Sequence, residues 1–134
     1  LSRGAASVTF VELSARHARI MQANAKSIGI PPGQARFITG DAFVALGQLR
    51  GNRAGFDLIV ADPPYGDKNV SKRSESFAQR MLDDENLPAL LKSGGLFVLG
   101  HTKRDTLEIP GPWVLKKTLK HGDTLIEILR LAKG

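Results

Sequence analysis

Cysteine is absent from this sequence, which excludes disulfides and thiolate metal sites and suits a reducing, cytoplasmic setting. Long apolar runs are absent too: none approaches the roughly 18 residues that span a bilayer, so no membrane partner is expected. The opening residues, LSRGAAS, carry no apolar core of the kind a secretory signal needs, so none is expected. The match of Asn69, Val70 and Ser71 to a glycosylation sequon is accordingly read as chance. Histidine is scarce, and His17, His101 and His121 have neither metal-ligand spacing nor a serine partner; none is given a catalytic task and no metal is expected. Acids are outnumbered, 13 against 19 lysines and arginines, for a formal net charge of +6. That balance suits a polyanionic partner such as nucleic acid, and it suits an ordinary solvated basic surface as well.

What is present is enough for one core. Of 134 residues, 42% are hydrophobic, the size and composition of a single domain over residues 1–134. Short strand-like runs alternate with helix-like segments, the pattern of an α/β fold with a mostly parallel sheet and crossover helices. SVTFVE (7–12), ARFIT (35–39), FDLIVA (56–61) and LFVLGH (96–101) read as strands. The third is apolar on both faces, as a central, doubly covered strand would be. A helix is expected from residue 14 to about 27, with Ala18, Met21, Ala25 and Ile28 on one face, Ser14 as N-cap, and Gly29 ahead of Pro31 and Pro32 as its stop. Gly40 and Asp41 turn into a short helix over 42–49. A longer helix is expected over about 77–92, kinked or broken at Pro88 and closed by Gly94 and Gly95. Near the C-terminus, WVLKKTLK (113–120) and TLIEILRL (124–131) flank His-Gly-Asp and predict an antiparallel hairpin at the end of the sheet.

In open parallel sheets, ligands gather outside the carboxyl ends of the strands. Three expected strands end in an acid: Glu12, Asp41 and Asp62. A carboxylate at Glu12 can accept hydrogen bonds from both hydroxyls of a ribose. Asp41 can accept from an adenine amino group, with Ala42 and Phe43 beside the ring. Taken singly, either acid is read first as an ordinary turn or N-cap residue. Asp62 differs because Pro63, Pro64 and Tyr65 follow it. Two prolines fix the backbone and remove its N–H donors. The Asp62 carboxylate and the Pro63 carbonyl then offer two acceptors to an amino group on a planar base, and Tyr65 can stack on that base. The bland alternative is a stiff turn with a packed tyrosine. Lys68, Lys72, Arg73 and Arg80 follow the corner, where they can meet RNA phosphates or form a solvated loop. Lys116, Lys117 and Lys120 read as a solvent face, and Trp113 as a packing residue.

FDLIVADPPYG resembles the amino-methylating signature of class I methyltransferases that use S-adenosylmethionine, in which Asn, Asp or Ser precedes Pro-Pro-Tyr or Pro-Pro-Phe. The wider context, LSRGAASVTFVE, ITGDAF, GGLFVLGH and the closing HGDT, is similar to the bacterial small-subunit ribosomal RNA guanine-N2 methyltransferases of the RsmD type over nearly the whole chain. DPPY alone is shared with DNA adenine methyltransferases; the opening segment and the hairpin narrow the resemblance. It implies a Rossmann-like methyltransferase sheet and S-adenosyl-L-methionine as cofactor, bound by Glu12, Asp41, Ala42 and Asp62. It also implies that Asp62, Pro63, Pro64 and Tyr65 hold the target guanine amino group, and that ribosomal RNA or the small-subunit particle is the partner, a role in rRNA processing.

The sequence departs from that pattern at one point. Such folds place a glycine loop about 20 residues before the ribose acid, and counted back from Glu12 it falls before Leu1. The family's strand order, 3-2-1-4-5-7-6, is therefore expected to lack its first strand and glycine-rich loop here. The chain alone is expected neither to bind S-adenosylmethionine tightly nor to methylate RNA unaided. Two other activities stay open: adenine-N6 methylation of DNA, and a non-catalytic RNA-binding or assembly module.

Overall fold

Val8–Glu12 and Ala35–Thr39, rich in the β-branched and aromatic residues that fit a pleated surface, form strands β1 and β2 of the computed structural model, which describes residues 7–31, 33–61 and 76–132. They pair in parallel, from Val8 opposite Ala35 to Glu12 opposite Thr39, and Phe10 stacks on Phe37 with ring centroids 5.1 Å apart. Parallel neighbours need a crossover, supplied by α1, Ala15–Ser27. Ser14 caps it, its hydroxyl accepting the His17 N–H at 3.2 Å. The helix stops where Gly29 takes φ +80°, with Gly29 N–H donating to the Lys26 carbonyl and Ile30 N–H to that of Ala25, a Schellman closure. Helix α2, Ala42–Gly51, closes with the same pair of bonds, Arg53 to Arg50 and Ala54 to Leu49, but Arg53 at φ +57° stands where a glycine is usual. The chain divides into two units, Leu1–Gln48 and Leu49–Gly134.

The second unit holds a four-stranded sheet in the order β3-β4-β6-β5: β3 Phe56–Ala61, β4 Leu91–Thr102, β5 Trp113–His121 and β6 Thr124–Leu131. β3 and β4 are parallel, while β6 is antiparallel to both β4 and β5. The predicted hairpin is present at the edge of the sheet, turning through Gly122 and Asp123; Gly122 at φ +62° meets the glycine requirement of a II′ turn. Helices α3 (Phe77–Asp83) and α4 (Asn86–Leu90) pack on β4. The core of this unit contains Ala78, Met81, Leu82, Leu87 and Leu90 from the helices and Phe97, Leu99, Trp113 and Leu129 from the strands. Trp113 packs its ring 5.1 Å from that of Phe97 and donates its indole N–H to the Leu82 carbonyl at 3.1 Å.

The single helix expected over 77–92 is instead α3 and α4, with β4 already under way at Leu91. Pro88 does not make the break. It sits in the first turn of α4, where a backbone N–H has no intrahelical acceptor to lose. The break comes at Asp84, whose carboxylate draws the N–H groups of Asn86 and Leu87 at 2.8 and 3.1 Å and so starts a new helix. Gly94 and Gly95 close no helix; they lie in the irregular start of β4, where pairing with β3 jumps from Phe56–Leu91 to Leu58–Leu96. The expectation of a doubly covered β3 also changes. β3 is the edge of its sheet, and Leu58 and Val60 on one face are 55% and 64% exposed. Apolarity on both faces is written in the residues, whereas cover depends on which neighbours arrive.

Candidate functional site

Parallel pairing sets the C-terminal ends of β1 and β2 side by side. Glu12 stands opposite Thr39, and the Gly40 N–H donates to the Glu12 carbonyl at 2.9 Å, which carries the ladder to the threshold of Asp41. The Glu12 side chain is 30% exposed. Its Oε1 lies 3.0 Å from His17 Nδ1 and its Oε2 accepts the Leu13 N–H at 3.2 Å. A carboxylate offers about four lone-pair sites, so acceptors remain for two hydroxyls. Asp41 Oδ1 takes the N–H groups of Phe43 and Val44 at 2.8 and 3.2 Å and caps α2, which begins at Ala42. Its Oδ2 has no hydrogen bond among the described residues. Two acids with spare acceptors therefore lie together at the carboxyl ends of the two paired strands, an arrangement able to accept from the hydroxyls and amino group of a nucleoside.

In the second unit β3 ends at Ala61, opposite Leu99 of β4. Asp62, Pro63, Pro64, Tyr65, Lys68, Lys72 and Arg73 lie outside the described residues. Description resumes at Ser76, the N-cap of α3, whose buried hydroxyl accepts the Gln79 N–H at 2.9 Å. Arg80 lies on the exposed side of that helix. Among the described residues no group of three or more His, Asp or Glu could hold a metal ion, and no helix is long and apolar enough to cross a membrane.

Three further side chains hold local structure in their own units, His17 in the first and Gln79 and His101 in the second, and none stands out in the sequence as a site residue. His17 fixes the Glu12 carboxylate; its signal is its place in the first turn of α1, just beyond the strand that ends in the acid. Gln79, 4% exposed, accepts the Glu108 N–H at 2.9 Å and donates to the Glu108 carbonyl at 2.9 Å. His101, 6% exposed, holds Nδ1 at 3.0 and 3.1 Å from the carbonyl oxygens of Thr102 and Asp105, and its Nε2 is 3.7 Å from Glu127 Oε1. Their partners are remote or irregular in sequence, so no local pattern announces the last two.

A family model described as Conserved hypothetical protein 95 matches residues 1–130. No curated protein matches the sequence. The fold is similar to that of the Escherichia coli protein yhhF, described as a "putative methyltransferase", with TM-score 0.76 and 18% identity over 98% of this chain and 68% of that one. It is also similar to a Haemophilus influenzae protein described as a "putative methylase", with TM-score 0.74 and 24% identity over 98% of this chain and 76% of that one. A third structure, described as of "a putative methyltransferase complexed with SAH", matches with TM-score 0.68 and 13% identity over 94% of this chain and 39% of that one. At these identities the likeness is one of fold.

Proposed function

This chain belongs to the Conserved hypothetical protein 95 family, the RsmD-like family its sequence resembles, and from that membership we propose that it carries the substrate corner and part of the cofactor site of an S-adenosylmethionine-dependent methyltransferase acting on the N2 amino group of a guanine in small-subunit ribosomal RNA. The observation that carries the reading is the set of acids beyond parallel strands: Glu12 and Asp41 side by side after β1 and β2, and Asp62 next after the last residue of β3. The neighbour described as complexed with SAH supports the choice of cofactor. In this reading the sheets β2-β1 and β3-β4-β6-β5 correspond to 3-2 and 4-5-7-6 of the family order. Strand 1 and its glycine loop have no counterpart among the described elements.

The chemistry follows from the residue types. S-adenosylmethionine, when bound, supplies a methyl group on a positively charged sulfur. Glu12, steadied by His17, accepts from the ribose hydroxyls, and Asp41 accepts from the adenine amino group beside Ala42. The Asp62 carboxylate and the Pro63 carbonyl accept the two N–H bonds of the guanine amino group, Pro64 stiffens the corner, and Tyr65 stacks on the ring. With both N–H bonds held, the nitrogen lone pair is aimed at the methyl carbon, and the proton shed afterwards leaves along the Asp62 hydrogen bond. The orientation is worth more than any base strength, because an aligned attack recovers entropy that free reactants would lose.

The test is methyl transfer by the full-length protein to small-subunit RNA, naked and in particles, from a strain lacking the gene. N2-methylguanosine detected by mass spectrometry, and lost in Asp62→Ala, is the expected result. N6-methyladenine formed in DNA would replace the substrate assignment, and RNA binding without any transfer would leave a non-catalytic module.

A further inference from the structure

The end of the second sheet at which β3 gives way to Asp62 also carries two turns, set back to back. β4 runs on past Leu99, the partner of Ala61, to Thr102. β6 comes back antiparallel, with His101 opposite Leu125 and Thr102 opposite Thr124, so the tip of the β5–β6 hairpin lies at that same end. A turn at 102–105 closes with the Asp105 N–H donating to the Thr102 carbonyl at 3.1 Å, which leaves Lys103 and Arg104 at its two central positions. The Lys103 N–H donates to the Asp123 carbonyl at 2.9 Å and ties this turn to the hairpin tip. Lys120, opposite Leu125, arrives at the tip from β5. Behind the first turn sits the buried His101: both atoms facing its Nδ1 are carbonyl oxygens, so Nδ1 carries a proton and braces the two ends of the turn.

Lys103, Arg104 and Lys120 are exposed, and among the described residues none has an ion pair or a side-chain hydrogen bond. Asp123 is the exposed acid of these two turns, and Asp105 is buried. Three unpaired cations against one acid repel one another on a braced backbone, an arrangement that gains free energy when a polyanion displaces their counterions. Lys116 and Lys117 differ. They lie farther along the edge strand β5, at the shift in pairing between Leu115 and Lys117, where charged residues guard an open sheet edge.

We propose that the paired turns form a phosphate-binding platform for the RNA strand, with Lys103, Arg104 and Lys120 contacting its backbone at the end of the sheet from which Asp62 follows. This rests on the reading of RNA as substrate and says which surface receives it. Backbone contacts of this kind set register and orientation and leave base choice to the corner.

The experiment is fluorescence anisotropy with a fragment of small-subunit ribosomal RNA and the full-length protein, from about 50 to 200 mM salt. The triple variant K103Q/R104Q/K120Q is expected to bind with a slope of log affinity against log salt shallower by about 2, since each single-strand phosphate contact contributes roughly 0.7, and about 100-fold more weakly near 0.1 M salt. K116Q/K117Q is expected to keep the wild-type slope. An unchanged slope in the triple variant, an equal loss in the control pair, or failure of the wild type to bind RNA would each overturn the platform. So would selective binding of duplex DNA through the same three residues. If the triple variant behaves as expected but the wild type transfers no methyl group to RNA, the methylation reading fails and the platform stands.

Discussion

Gln79→Met removes an amide while keeping most of its volume, and its cost follows from three hydrogen bonds. Gln79 Oε1 accepts the Glu108 N–H at 2.9 Å, while Nε2 donates to the Glu108 carbonyl at 2.9 Å and to Asp83 Oδ1 at 3.2 Å. The first two reproduce with a side chain the pairing one strand offers another. They hold the connection between β4 and β5 onto α3, the first described helix after Asp62 in the sequence. At a net value of about 1 kcal/mol per bond the sum would be about 3 kcal/mol. Glu108 and Asp83 are both exposed, so water replaces part of what they lose, and the expected loss is about 1–2 kcal/mol. The readout is limited trypsin cleavage at Lys103 and Arg104, which lie in the connection that Gln79 pins. Cleavage that follows local opening should speed up by a factor of roughly 5–30, and the urea midpoint should fall with an unchanged slope. Unchanged cleavage together with an unchanged midpoint would show that the Glu108 pairing holds nothing in place.

Arg53→Gly should stabilise the protein by about 0.5–1 kcal/mol, because the left-handed conformation costs an L-residue roughly 1–2 kcal/mol and glycine's larger unfolded entropy returns only part of it; a midpoint at or below that of the wild type refutes this. Gly95→Ala should destabilise it by about 2 kcal/mol, since a Cβ there would stand 2.7 Å from Leu91 Cδ1 and 2.9 Å from the carbonyl oxygens of both Asp57 and Lys92. The leucine tip can swing away but the two carbonyls cannot, so a thermal shift below about 1 °C would mean that the start of β4 yields more readily than its packing implies.

Elements whose cause is local were legible in the residues. β2 and β3 fall on ARFIT and FDLIVA because each run is bounded by turn residues, and α1 starts and stops where Ser14 and Gly29 satisfy its ends. The stretch from 77 to 92 was not, since two local rules compete there. Proline reads as a breaker, but in a first turn it breaks nothing, and Asp84 two residues ahead of Asn86 is the stronger signal for a fresh helix start. Leu91 and Lys92 then join β4 because pairing with Phe56 outweighs their helical preference. Gln79 and His101 stayed invisible for a different reason: Glu108 is 29 residues from Gln79, and the nearest charged group to His101 Nε2 is on another strand. Buried polar contacts of that kind are settled by tertiary arrival alone.

The acids at the strand ends show why turn chemistry and ligand chemistry are poor alternatives. Asp41 was readable either as an N-cap or as a base acceptor, yet a carboxylate has two oxygens and the cap uses one. With Oδ1 held by the N–H groups of Phe43 and Val44, the side-chain torsions are set and Oδ2 is aimed before any ligand arrives. Glu12 is held through both oxygens instead, Oε1 by His17 Nδ1 and Oε2 by the Leu13 N–H, which fixes the carboxylate while lone pairs remain on each oxygen. An acceptor already immobilised loses little rotamer freedom on binding, a saving of about 0.5–1.5 kcal/mol per side chain. Under the proposed function, local capping preorganises the Asp41 acceptor, and removing the cap should weaken a ligand's hold on the oxygen that the cap itself does not touch.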